Sequence, residues 1–180
     1  MATVFVFYAW LSLARAQPGA LPSREEALAM IFPGATWKAE RVFLTEEQRR
    51  QAGKIAGGDI PTALLARYLV FKDGVPWGRA YVDTHIVRTK KESLLICLDE
   101  RGYVKRVEVT AFLEPTEYQA SPKWYGQFEG RPLSDELSLQ RAIRPIAGAT
   151  LTAAAANGAV RRILAIDGVL QERTSGGGHP

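Results

Sequence analysis

Gly148-Ala149-Thr150-Leu151-Thr152 sets two residues with almost no side chain directly before a hydroxyl, where an alanine-rich helix must begin. Ala153 to Ala156 and Ala159 are the strongest helix formers, and Arg161 and Arg162 follow further along. Asp167-Gly168 reads as the helix stop. No carboxylate occupies the first turn, so nothing local offsets the positive end of the helix dipole. Free N–H groups, a hydroxyl and no bulky side chain make an anion site, most naturally for phosphate. The plainer reading is that Thr150 caps the helix and does nothing more.

The same five residues resemble the Ser/Thr-Gly-Ala-Thr-x-Thr signature of the FMN-binding domain family. That domain occurs in subunits of ion-pumping NADH:quinone oxidoreductases, in Rnf complexes and in secreted electron-transfer proteins. Ala27-Leu28-Ala29-Met30-Ile31-Phe32-Pro33-Gly34-Ala35 is similar to the family's Ala-Leu-x-x-x-Phe-Pro-x-Ala opening. Val104 to Leu113, then Glu114-Pro115-Thr116, then Trp124-Tyr125-Gly126-Gln127-Phe128-Glu129-Gly130 follow the family order of a strand, a Glu-Thr-Pro-Gly segment and an aromatic Gln-Phe-x-Gly stretch. The resemblance spans most of Ser23 to Ile166. It implies FMN as cofactor, joined through its phosphate by a flavin transferase to Thr150, with Thr152 the second candidate and Gly148, Ala149 and Leu151 beside it. It also implies a redox partner protein, in the membrane or free. Two positions depart from the pattern: Arg144 stands where the family has Asp, and Ala147 where it has Ser or Thr. If the transferase reads that Asp, the chain is instead a flavin-free binding or assembly module of the same fold.

Trp77, Trp124 and Tyr125 are the aromatics expected against a flat, largely apolar isoalloxazine, core anchorage being the alternative for each. Asp83 and His85 lie two apart on one strand face and could form a general-base pair or half a metal site. A hydrogen-bonded surface pair is the preferred reading. No serine sits in a G-x-S-x-G elbow, which argues against hydrolase chemistry. Arg88, Lys90 and Lys91 read as a solvated hairpin tip. Cys97 lies within Leu94-Leu95-Ile96-Cys97-Leu98, apolar on both faces, and is expected to be buried and inert.

The elements that must position these residues fit one domain of 180 residues. Thr3 to Leu13 is apolar, too short to span a bilayer, and ends in Ala14-Arg15-Ala16, so residues 1–16 read as a secretory signal. The mature chain, periplasmic or extracellular, then carries 22 basic against 19 acidic residues. That mild, dispersed excess argues against nucleic acid as a partner. One cysteine excludes an intrachain disulfide, and no C-x-x-C-H haem site exists.

Capping-box spacings at Ser23 to Glu26 and Thr45 to Gln48 start two helices, the second ending near Gly53. Trp37–Leu44, Leu64–Phe71, Trp77–Val87, Ser93–Leu98 and Tyr103–Leu113 read as strands, with a hairpin at Asp73-Gly74 and turns at 90–92 and 99–102. Lys123 to Phe128 and Leu133 to Gln140 read as short helices. The expectation is α+β, an antiparallel β-meander flanked by helices in a single domain spanning 17–170, with a disordered tail over 171–180.

Overall fold

The computed structural model describes residues 20–176. The secretory signal expected over 1–16 lies outside them. Helix α1 (Arg24–Ile31) precedes strand β1 (Thr36–Phe43), and α2 (Glu46–Ala56) follows it. Strands β2 (Leu64–Lys72), β3 (Val75–Ile86), β4 (Lys91–Asp99) and β5 (Val104–Phe112) come next in an unbroken run. A single-turn helix α3 (Pro122–Tyr125), continued by a 3-10 turn (Gly126–Phe128), leads through a loop to α4 (Thr150–Gly176). The sheet is antiparallel throughout in the order β1-β2-β3-β4-β5, so the chain is an α+β domain built on a meander.

Both capping boxes form as their spacing predicts. The Ser23 hydroxyl accepts from Glu26 N at 3.2 Å while Glu26 returns to Ser23 N at 2.8 Å, and Thr45 and Gln48 do the same. Each reciprocal pair satisfies two N–H groups that the first turn cannot bond internally.

The sheet buries both faces. One carries Leu65, Tyr81, Leu94, Ile96, Leu98, Val107 and Val109 under α2 and α4, with Trp124, Tyr125 and Phe128 closing one side. The other carries Tyr68, Val70, Ala80, Leu95 and Cys97 under Leu28 of α1 and Phe32, the residue that caps its C-terminus. Gly78 is what lets Phe32 reach the sheet: a Cβ there would stand 2.5 Å from the Leu98 carbonyl and 2.9 Å from the Phe32 ring. Cys97 is fully buried, and burial pushes its thiol far above the ordinary range, as its apolar strand implies.

Two expectations fail for reasons of long-range packing. Leu133 to Gln140 forms a chain of turns, its backbone held by Arg161 and Asn157 of α4 on the Leu137 carbonyl. Asp167-Gly168 does not end α4, which runs on to Gly176 and so into the stretch expected as a loose tail. Asp167 is 3% exposed and engaged by Arg79 and Tyr81, and Val169, two residues on, is buried as well. Tertiary contact outweighs the local stop signal. Among the described residues no helix is long and apolar enough to cross a membrane.

Candidate functional site

Thr150 is the first residue of α4, not its cap; the capping position falls on Ala149, whose carbonyl accepts from Ala153 N at 3.1 Å. Ala149 offers no side-chain oxygen, so the N–H groups of Thr150, Leu151 and Thr152 have no acceptor among the described residues. Gly148 has φ +78°, the left-handed region, and this kink turns the chain into the helix. Thr150 is exposed, and Leu151 is 55% exposed. Thr152 is 1% exposed, and its Oγ1 donates to the Tyr118 carbonyl at 2.7 Å. The two threonines are thus separated: one hydroxyl faces outward and the other is committed to structure.

These residues line a cleft of about 370 Å³ together with Arg88 and Tyr118. That is near the lower end for small-molecule clefts, about 300–1,000 Å³. The Arg88 guanidinium stands 4.5 Å over the Tyr118 ring. Arg88 lies exposed in the β3–β4 hairpin turn, as its sequence reading expects, and there it also lines the cleft. Its turn is gathered by Glu114, whose Oε1 accepts from the N–H groups of Arg88, Thr89 and Lys90 at 3.2, 2.6 and 2.8 Å. The Thr89 and Lys90 amides, ahead of the smaller cost of desolvation, hold the Glu114 carboxyl below the usual range. No sequence spacing links Glu114 or Tyr118 to residue 88; only the fold brings them together.

The loop before the motif is pinned at Arg144. Trp124 Nε1 donates to its carbonyl at 2.7 Å, and its N–H donates to Gln127 Oε1 at 2.9 Å. The Arg144 side chain itself is exposed.

The proposed flavin aromatics are placed elsewhere. Trp124 and Tyr125 are 8% and 2% exposed and belong to the core beneath α4, edge to face with each other. Trp77 packs on Phe32, on the face turned away from α4. None of the three lines the cleft, where Tyr118 and Leu151 supply the ring and the apolar surface instead.

Asp83 and His85 are not a surface pair. His85 Nδ1 lies 2.8 Å from Asp83 Oδ1 and Nε2 lies 3.0 Å from Glu92 Oε2, with Glu92 fully buried. Tyr125 donates its hydroxyl to the other Glu92 oxygen at 2.8 Å, and Arg162 of α4 holds Asp83 at 3.0 Å. The carboxylates sit on opposite ring nitrogens and do not converge, and among the described residues no group could hold a metal ion. A larger hollow of about 690 Å³ lies at the C-terminal end of α2, between Arg49, Lys54 and Asp59, and contains no part of the motif. No family model, curated protein or solved structure matches this chain.

Proposed function

We propose that the protein is an exported FMN carrier of the FMN-binding domain type, periplasmic or extracellular, which passes electrons between partner proteins. The observation that carries this reading is the division of labour at the start of α4. Thr150 offers an exposed hydroxyl beside unpaired N–H groups, while the neighbouring Thr152 is tied to Tyr118. The residues fit a phosphate: a positive helix end, a glycine kink that keeps side chains out of the way, and the Arg88 side chain lining the same cleft.

FMN, when bound, supplies the redox chemistry. The chain's own residues bind and orient. Thr150 Oγ1 is the atom that would bond the phosphate. A flavin transferase would supply FMN as part of an activated pyrophosphate donor. The new O–P bond would form as the pyrophosphate bond breaks, the nucleoside monophosphate leaves and the hydroxyl gives up its proton. The N–H groups of the first turn and Arg88 offset phosphate charge. Tyr118 and Leu151 give a flat or apolar group a surface to lie against. A covalent tether suits a compartment where lost flavin is not replaced.

A second reading has its own support. Arg144 is exposed where the family signature carries Asp, so a transferase that reads this position meets the opposite charge. On that reading the protein is a flavin-free binding or assembly module. Intact mass and peptide mapping after expression with and without a flavin transferase separate the two. The carrier reading expects a flavin adduct on the peptide containing Thr150, lost in Thr150→Val. It also expects the loaded fraction to rise in Arg144→Asp/Ala147→Ser. A colourless, unmodified protein under all of these conditions supports the module. Flavin on Thr152, or flavin retained without either threonine, overturns the assignment.

A further inference from the structure

The buried polar chain across β3 and β4 sets two carboxyl groups on one imidazole. His85 lies between two carboxylate oxygens, Asp83 Oδ1 at 2.8 Å and Glu92 Oε2 at 3.0 Å, one on each ring nitrogen. Against two ionised carboxylates, a neutral imidazole with one N–H and one lone pair can satisfy only one of them and must aim the lone pair at the other. Only the imidazolium donates to both. The surroundings offer no escape to water: the His85 and Asp83 side chains are 9% and 10% exposed, and Glu92 is 0% exposed.

The groups facing the ring come from four elements. Asp83 lies beside it on β3 and Glu92 opposite it on β4. Arg162 of α4 reaches Asp83 with Nη2 at 3.0 and 3.1 Å, and Tyr125 of α3 caps the remaining Glu92 oxygen. With His85 charged, the two cations and two carboxylates balance. With His85 neutral, the buried cluster holds one uncompensated negative charge and one opposed lone pair.

We propose that His85 is a protonated clasp joining the two carboxylates that hold α4 and α3 to the sheet, and that losing its proton loosens both helices. Burial by itself would lower the affinity of His85 for its proton, but the hydrogen bonds to Asp83 and Glu92 outweigh it and raise the pKa to about 8 from the ordinary 6.5. The folded value lies above the unfolded one. The stabilisation is therefore fully present below pH 6.5 and is lost as pH rises through 8. Over the same window burial pushes the Tyr125 hydroxyl well above its usual range, and His85 and Arg162 hold the Asp83 carboxyl low against its own desolvation, so neither titrates. α3 also carries the Trp124 indole that pins Arg144, so the clasp reaches the loop leading to the cleft.

The experiment needs no flavin. The chain has two histidines, and His179→Gln leaves one imidazole signal to follow by NMR. We expect both ring nitrogens of His85 to be protonated at pH 6 and one of them to lose its proton near pH 8. The folding constant should fall on the order of tenfold between pH 6.5 and 9, and His85→Gln should remove that dependence. A lone-pair nitrogen on the folded protein at pH 6, or a midpoint at or below 6.5, overturns the proposal whether or not the variant folds. So does a His85→Gln stability profile that runs parallel to the parent across the window.

Discussion

Two threonines two positions apart make the sharpest contrast in the molecule, and mutation should read it directly. Thr152→Val keeps the shape but leaves the half-buried Tyr118 carbonyl without its donor, which should cost about 1–2 kcal/mol in urea unfolding. Thr150→Val, at an exposed first-turn position, should change stability by no more than about 0.5 kcal/mol. Equal costs at the two sites would show that the hydroxyls are not so divided. Gly148→Ala meets open space but inherits φ +78°, so it should destabilise by about 1–2 kcal/mol through the backbone alone. The sequence exposed the small-small-hydroxyl pattern because those residues are neighbours. It could not say which threonine faces out, since that depends on Tyr118, 34 positions away.

At the scale of elements, α4 is the test case. Gly168 sits inside the helix with nothing within 4 Å of an added Cβ, so Gly168→Ala should stabilise by about 1 kcal/mol. A left-handed stop at that position would give the opposite sign, and equilibrium unfolding distinguishes the two. Asp167 is clamped by Arg79, Nη2 to Oδ2 at 2.8 Å, and by the Tyr81 hydroxyl at 2.7 Å. Asp167→Ala should therefore cost about 3 kcal/mol by leaving the part-buried Arg79 guanidinium without its carboxylate. A double change, Arg79→Met with Asp167→Leu, should recover most of that loss if the missing partner is the cause. The strands, both capping boxes and the Asp73-Gly74 hairpin were legible because each is specified within a few residues. The path of α4 past Asp167-Gly168, the turns at 133–140 and the clasp at His85 were not. Each is decided by partners on other elements: Arg79, Arg161, Glu92 and Arg162. Glu92 in particular reads as a polar turn residue, yet the register with His85 places it fully inside.

For the molecule as a whole, the single cysteine is a built-in reporter. Cys97 is fully buried under α1, so thiol labelling in native buffer should proceed only through global opening, at a rate that tracks unfolding. Fast labelling of the folded protein would contradict that placement. The distribution of the core along the chain has a further consequence, one of timing. Tyr81, Leu94, Ile96 and Leu98 are made early, but Ala153, Ala156, Ala159, Val160, Ile163 and Ile166, which cover them, all come from the helix that follows every strand. A chain emerging from the ribosome therefore shows a sheet face only partly covered until α4 arrives. That interval is when a holding chaperone has something to grip. A nascent chain arrested before Thr150 should stay protease-sensitive and turn resistant only once α4 is out. The outward hydroxyl of Thr150 takes up its finished setting at that same moment, so any enzyme that reads the folded helix start can act only after the chain has closed.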